Sequence, residues 1–156
     1  MEVLVKQCGD VKGLTFIEVI IVICIISTLL MIALLNSTIV LGFKEKRELR
    51  EFKKDIEYAR NRAIVESRLY TVRINQSKNS YAIINYSNLG KNTVKEKKFT
   101  YGIKLKKTNL SQNEVTFSYS GAPLIAGTIY LENRKGEDIE ITITPVTGKV
   151  NIKIIP

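Results

Sequence analysis

An uninterrupted apolar stretch near the start of the chain is the strongest constraint on its fold. Residues Val19 to Phe43 form a run of 25 positions without a charged side chain. An α-helix of this length spans about 37 Å, which exceeds the roughly 30 Å hydrocarbon core of a bilayer. The stretch therefore predicts a helix long enough to cross a membrane.

A single carboxylate, Glu18, precedes this stretch. Moving such a charge to the middle of a membrane costs about 2.5–3.5 kcal/mol, so Glu18 is expected to have a partner or a purpose. One interpretation is an ordinary signal anchor with Glu18 at the level of the lipid headgroups. A cleaved secretory signal peptide fits less well, because its apolar region is only about 7–15 residues long.

The residues around Glu18 follow a recognisable order. A short polar leader ends in Gly13, and then come a large apolar residue, Thr15, two further apolar residues and Glu18. This N-terminus resembles that of the type IV pilin and pseudopilin family, in which the position of Leu14 is usually Phe.

The resemblance implies a processing and assembly route. A prepilin peptidase would cleave between Gly13 and Leu14 and methylate the new amino terminus. Phe16 and Glu18 would act in assembly, with Glu18 pairing with the amino terminus of a neighbouring subunit. The implied partners are other pilins or pseudopilins, the prepilin peptidase, an inner-membrane assembly platform and, before assembly, the lipid bilayer. The implied divisions are a leader (1–13), a transmembrane and filament-core helix (14–43) and a soluble globular domain (44–156).

The distribution of basic residues opposes the expected orientation. Only Lys6 and Lys12 lie on the leader side, whereas seven Lys and Arg residues lie between Lys44 and Arg60. The positive-inside rule alone would keep the second group in the cytoplasm. The resemblance instead implies a single-pass protein of the cytoplasmic membrane with its C-terminal domain outside, which later joins a periplasmic or extracellular filament.

After Phe43 the sequence predicts an amphipathic continuation of the helix. Apolar residues recur at alternating spacings of three and four, which places them on one helix face. They are Leu49, Phe52, Ile56, Ala59 and Ala63. One helix is therefore predicted from about Leu14 to Glu66. On its polar face, Lys44–Glu48 and Arg47–Glu51 are spaced for i,i+4 ion pairs, which is typical of a solvated surface.

From Leu69 onward, apolar and polar residues alternate as in β-strands. The predicted strand segments are LYTVRIN, SYAIINY, TVKEKKFTYGIKLKK, EVTFSYS, TIYLEN, IEITIT and KVNIKII. The first two flank a hairpin turn at Gln76–Asn79, and Thr147-Gly148 predicts a turn before the last strand. The predicted fold is α+β, with a long N-terminal helix packed on an antiparallel β-sheet.

Four local patterns narrow the resemblance to GspH/FimT-type minor pseudopilins. They are Ala59-Arg60-x-x-Ala63-Ile64, Phe117-x-x-x-Gly121, Gly127-Thr128-Ile129 and Thr147-Gly148-Lys149-Val150. The resemblance implies a non-catalytic structural subunit of a type IV pilus, a type II secretion system or a competence filament. A membrane-anchored surface domain unrelated to filaments is a competing interpretation.

The sequence offers little for catalysis or metal binding. It contains no histidine, Cys8 lies in the predicted leader and Cys24 lies in the apolar helix. Histidine, the commonest general base and metal ligand, is thus missing. The predicted soluble part has no cysteine, so it can form neither a disulfide nor a thiolate metal site. No catalytic, cofactor-binding or metal-binding residue is predicted.

A basic run, together with the resemblance to FimT-type proteins, some of which are linked to DNA binding, suggests a second functional hypothesis, a pilus-tip subunit that binds DNA during DNA uptake. Contact with another anionic polymer, such as an acidic wall polymer, and simple solubility are the alternatives for the same lysines. Its cations are Lys95, Lys97, Lys98, Lys104, Lys106 and Lys107. Phe99 and Tyr101 lie among them, and such rings can stack on bases while lysines contact phosphates. Strand alternation, however, places Lys95 and Lys97 on one face and Lys98 on the other.

Overall fold

The computed structural model describes residues 15–35, 37–87 and 90–155. The chain divides into two compact units, Met1–Val40 and Leu41–Pro156. The predicted cleavage site at Gly13 and Leu14 lies outside the described residues.

Two helices form the N-terminal part of the described chain. Helix α1 spans Phe16–Leu35 and helix α2 spans Ser37–Glu66. The sequence predicted one helix from about Leu14, and its predicted end at Glu66 is confirmed. Within the three described ranges, no helix was identified with the length and apolar character needed to span a membrane.

The apolar face of α2 forms one side of the hydrophobic core. All five residues of the predicted stripe, Leu49, Phe52, Ile56, Ala59 and Ala63, are buried. The spacing of three and four residues keeps these side chains on a single face, which explains why the stripe was correctly predicted.

The β-structure consists of two four-stranded antiparallel sheets rather than the single sheet that was predicted. The strands are β1 (Tyr70–Asn75), β2 (Ser80–Ser87), β3 (Gly90–Lys98), β4 (Lys104–Thr108), β5 (Glu114–Phe117), β6 (Gly127–Glu132), β7 (Asp138–Ile143) and β8 (Val150–Ile155). The first sheet has the order β3-β2-β1-β5 and the second has the order β4-β6-β7-β8. The predicted hairpin β1–β2 is confirmed.

The division into two sheets occurs inside a segment that was predicted as one strand. Residues 99–103 leave the first sheet after β3 and lead to β4 in the second. Asn79 holds this crossing: its Nδ2 donates to the carbonyl oxygen of Ile103 at 2.7 Å, and its Oδ1 accepts the N–H of Leu105 at 2.9 Å. Gly102 has a φ of +100°, and an added Cβ there would collide with the side chain of Arg134.

Both sheets and α2 contribute to one hydrophobic core. At its centre, the ring of Phe52 on α2 lies 4.5 Å from that of Tyr81 and 5.2 Å from that of Phe99, between centroids. The second contact is edge-to-face, which is a favoured aromatic geometry. Helix α2 is therefore fixed against β2 and against the residue that follows β3.

Candidate assembly and anchoring sites

Glu18 forms a reciprocal capping box with Thr15 at the start of α1. The N–H of Thr15 donates to Oε2 of Glu18, and the N–H of Glu18 donates to Oγ1 of Thr15, both at 3.4 Å. These contacts provide acceptors for two N–H groups at the helix start. Both residues are exposed. The carboxylate, which has about four acceptor positions, can therefore also accept a donor from another molecule.

Helix α1 exposes apolar side chains throughout its described surface. Phe16 is 83% exposed, and Ile21, Leu29 and Met31 are also exposed. Glu18 is the only charged residue in the helix. A helix that is apolar on all sides is stable when lipid or other helices cover it.

Two carboxylates of α2 are buried instead of facing solvent, one against the crossing between the sheets and one against the first sheet. Glu48 is 6% exposed and accepts the N–H groups of Thr100 at 2.7 Å and Tyr101 at 3.1 Å. Asp55 is 7% exposed and accepts the hydroxyl of Tyr81 at 2.6 Å. Burial and the bond to Asp55 raise the pKa of Tyr81 well above its ordinary value.

Lysines of β3 complete this polar contact between helix and sheet. Lys95 Nζ lies 2.8 Å from Asp55 and 3.6 Å from Glu51, and Lys97 forms an ion pair with Glu51. Hydrogen bonding by Lys97 holds the pKa of Glu51 below its ordinary value, although partial burial opposes this effect. Burial would lower the pKa of Lys95, but its bonds and charge interactions with Asp55 and Glu51 outweigh burial and raise it.

This inward orientation leaves two cations of α2 without the partners predicted for them. The i,i+4 pairs Lys44–Glu48 and Arg47–Glu51 are absent, because both carboxylates bind residues of or next to β3. Lys44 instead lies over the ring of Tyr101, with Nζ 5.3 Å from the centroid. The interpretation of this face as solvated was therefore wrong for Glu48, which is buried.

The six lysines predicted to contact DNA are distributed over both sheets. Lys95, Lys97 and Lys98 belong to β3, whereas Lys104, Lys106 and Lys107 belong to β4. Lys106 pairs with Glu132 at 3.0 Å and Asp138 at 2.7 Å. Among the described residues, no carboxylate pairs with Lys98, Lys104 or Lys107. Three of the six positive charges are therefore neutralised within the chain.

The aromatic residues among these lysines differ in exposure. Phe99 is 4% exposed and packs in the core, so it is not available for stacking on a base. Tyr101 is 40% exposed. The predicted alternation is correct in that Lys95, Lys97 and Phe99 all face helix α2.

Arg60 joins the end of α2 to a loop that follows β5 and to the turn before β8. Its Nε donates to the carbonyl oxygens of Gly121 at 3.1 Å and Thr147 at 2.9 Å. One guanidinium group thus connects the helix to the peripheries of both sheets. Arg60, Gly121 and Thr147 belong to three of the patterns on which the family resemblance rests. Their contact shows that these three patterns meet at one place in the structure.

Two glycines permit this close approach. Gly121 has a φ of +79°, and an added Cβ would lie 2.6 Å from Cδ1 of Ile64. Gly148 has a φ of +62°, and an added Cβ would collide with the carbonyl oxygen of Gly121. Positive φ favours glycine at both positions, and at Gly148 the backbone of Gly121 also leaves no space for a Cβ.

The described part of the chain contains no group of three or more Cys, Asp or Glu residues arranged to hold a metal ion. The hydroxyl groups of Ser118 and Ser120 lie 2.8 Å apart and bond to each other. Arg60 and Asn79 were not predicted as structural centres, although the position of Asn79 in a turn signal and of Arg60 in a family pattern marked both segments.

Comparison with known proteins places this helix-on-sheets architecture among the pilin-like filament subunits. The GspH family, described as type II transport protein GspH, matches residues 48–147, well over half of the chain. The chain belongs to this family and is a GspH-type minor pseudopilin.

Two solved structures share the fold. The minor pseudopilin EpsH from the type 2 secretion system of Vibrio cholerae aligns with a TM-score of 0.59 and 14% identity, over 70% of this chain and 96% of that one. The type IV minor pilin FimU of Pseudomonas aeruginosa aligns with a TM-score of 0.54 and 16% identity, over 73% and 92%. No curated protein sequence matched the chain.

Proposed function

We propose that the chain is a non-catalytic structural subunit that joins a type IV pilus, type II secretion or competence filament through α1. The observation that carries this proposal is the helix itself: its described surface is apolar, and its one charge, Glu18, lies at the start with acceptor capacity to spare. Inside a bundle of such helices, an unpaired carboxylate would be costly. A protonated amino terminus of a neighbouring subunit would neutralise it and fix the axial stagger between the two.

The proposal includes a membrane stage before assembly. Prepilin peptidase cleaves after Gly13, Leu14 becomes the methylated amino terminus, and residues 14–43 remain in the cytoplasmic membrane. Residues 44–156 then lie outside the cytoplasm. The assembly platform extracts the subunit into the filament, where other pilins replace lipid around α1. The uncharged run Val19–Phe43 supports this stage.

Two measurements on the full chain in its native cell test the proposal. Intact-mass spectrometry of the isolated protein should show a chain that begins at a methylated Leu14. Glu18→Val should leave this processing unchanged and should reduce the share of the subunit in sheared filaments about tenfold or more, as expected for loss of a buried ion pair of roughly 1.4 kcal/mol or greater.

Glu45→Val provides the matched control, because Glu45 lies on α2 and its side chain has no ion pair or hydrogen bond among the described residues. It should assemble like the wild type. A chain that still begins at Met1, or normal assembly of the Glu18→Val variant, would contradict the proposal.

DNA binding is a second candidate function, supported by the unneutralised lysines Lys98, Lys104 and Lys107. A fluorescence-anisotropy titration with a DNA duplex tests it on the full chain in detergent. Replacing these three lysines by glutamine should weaken binding more than the same change at Lys95, Lys97 and Lys106. Equal effects of the two triple variants, or no binding at low salt, would exclude this mode of contact.

A further inference from the structure

A basic surface pocket lies beside the start of the second compact unit. We call it the Lys44 pocket and define it by Lys44, Arg47, Lys98 and Tyr101. It has a volume of about 380 Å³. Its lining comes from helix α2 and from the segment that includes Thr100, and the hydrogen bond between Glu48 and Thr100 joins the two. All four defining side chains are exposed, so their polar groups are accessible from solvent.

The carboxylates that line this pocket are already occupied. Both oxygens of Glu48 accept backbone N–H groups, at 2.7 Å and 3.1 Å. Glu51 pairs with Lys97 and Lys95. Within the described ranges, no carboxylate pairs with Lys44, Arg47 or Lys98. The lining thus holds four cations, Lys44, Arg47, Lys97 and Lys98, against the two carboxylates of Glu48 and Glu51. Positive charge is in excess, and a phosphate group has the matching charge and acceptor oxygens.

We infer that the Lys44 pocket binds the phosphate of an anionic phospholipid headgroup while the subunit is held in the membrane. This inference rests on the membrane stage of the proposed function. In that stage Lys44 lies close to the headgroups, since it directly follows Phe43, the last residue of the uncharged run. Basic residues immediately beyond an apolar span are attracted to anionic lipid surfaces.

The aromatic residues also favour a lipid. Phe43 is 70% exposed and Tyr101 is 40% exposed. Exposed aromatic rings next to an apolar span are typical of the membrane–water interface, where their apolar bodies contact acyl chains. The aliphatic stem of Lys44 can follow the same surface while its ammonium group stays at the phosphates.

A nucleic acid fits this surface less well. Binding of a single strand uses successive exposed rings on which bases stack. Phe99 is buried in the core, and Tyr101 has its ring contact with Lys44. The pocket thus offers a compact site for one phosphate group rather than an extended track of rings and cations.

Tryptophan fluorescence of the full chain in lipid nanodiscs tests the inference. The sequence contains no tryptophan, so Tyr101→Trp introduces a single reporter that keeps an aromatic ring in the pocket. Nanodiscs contain either phosphatidylcholine alone or phosphatidylcholine with phosphatidylglycerol. A trace of lipid with a nitroxide on its headgroup serves as the quencher. The quencher is phosphatidylglycerol in the nanodiscs that contain phosphatidylglycerol, and phosphatidylcholine in the nanodiscs of phosphatidylcholine alone.

We expect stronger quenching by the labelled phosphatidylglycerol than by the labelled phosphatidylcholine. Adding Lys44→Gln, Arg47→Gln and Lys98→Gln should weaken the enrichment of anionic lipid at the reporter by about fivefold per cation removed. A control variant with Lys91, Lys149 and Lys153 changed to glutamine loses the same charge outside the pocket. It should retain the preference, and circular dichroism should show the same fold for both triple variants.

The outcomes separate the inference from the proposed function. Failure of the chain to co-elute with nanodiscs would overturn the membrane stage and the inference together. Co-elution with equal quenching by the two labelled lipids, or equal loss in both triple variants, would overturn the inference alone. The inference would also be overturned if a DNA duplex bound through Lys44, Arg47 and Lys98 without displacing the labelled lipid.

Discussion

The carboxylate of Glu48 accepts the backbone N–H of Thr100 at 2.7 Å, across 52 residues of the chain. Because Thr100 lies in the crossing between the two sheets, this bond fixes the position of the crossing relative to helix α2. The second oxygen of the same carboxylate accepts the N–H of Tyr101 at 3.1 Å. An acidic residue that a sequence pattern assigns to solvent is therefore part of the structural framework.

We predict that Glu48→Ala lowers the free energy of unfolding by about 2–3 kcal/mol. The change leaves two backbone N–H groups without their charged acceptor, and hydrogen bonds to charged groups contribute about 1.5–3 kcal/mol. Urea unfolding of the full chain in detergent, followed by circular dichroism, measures the difference. Glu45→Ala on the same helix should change stability by no more than about 0.5 kcal/mol. Equal losses in the two variants would show that the backbone bonds contribute little.

We predict that Gly148→Ala is more destabilising than Gly136→Ala. Both glycines have positive φ, +62° and +82°, so both substitutions introduce about 1–2 kcal/mol of backbone strain. An added Cβ at Gly136 meets no atom within 4 Å, whereas at Gly148 it collides with the backbone of Gly121. The difference in unfolding free energy between the two variants therefore measures the close approach around Arg60. A difference of zero would mean that the turn can move away without cost.

We predict that the ion pairs between α2 and β3 weaken at acidic pH. The pKa of Glu51 is held below its ordinary value near 4.5, so its contribution is present above that value and is lost as the pH falls through the folded-state pKa. Urea midpoints measured from about pH 6 to about pH 3 should fall less steeply for Glu51→Gln than for the wild type.

Lys97 provides the matched test of that cause. Its hydrogen bond is the largest influence on the pKa of Glu51. Lys97→Gln should therefore reduce the acid dependence as well, and the double variant should lose less than the sum of the two single changes. Strictly additive losses would show that Glu51 and Lys97 do not act as a pair.

We predict that protease added to intact spheroplasts digests residues 44–156. The proposed orientation exposes this domain outside the cytoplasm, although seven basic residues between Lys44 and Arg60 favour the opposite side. A cytoplasmic protein in the same sample should stay intact. After permeabilisation with detergent, the protease should digest this cytoplasmic protein as well. Protection of the domain until permeabilisation would show that the positive-inside rule governs this chain.

Periodicity was a reliable guide where one face of an element is buried. The stripe from Leu49 to Ala63 and the hairpin β1–β2 were both predicted, because each has one continuous apolar face. The α+β class followed from these elements. The Arg60 contacts were not predicted, since they join residues 61 and 87 positions apart and local spacing contains no information about such pairs.

The division into two sheets was missed for a different reason. Polar and apolar residues continue to alternate from β3 through Phe99 to β4, so the pattern contains no interruption. The interruption comes from Asn79, whose side chain binds Ile103 and Leu105. The acidic side chains of α2 were likewise assigned to solvent, because i,i+4 spacing cannot show that Glu51 meets lysines of β3 or that Glu48 meets backbone N–H groups after β3.

The bond between Arg60 and Thr147 also bears on biosynthesis. Helix α2 leaves the ribosome well before the turn that supplies the carbonyl oxygen 87 positions later. Closing a loop of this length costs more conformational entropy than closing the short hairpin between β1 and β2. During synthesis the helix lacks this bond until the turn has been made, and chaperones can recognise its apolar face while the sheets that cover it are incomplete.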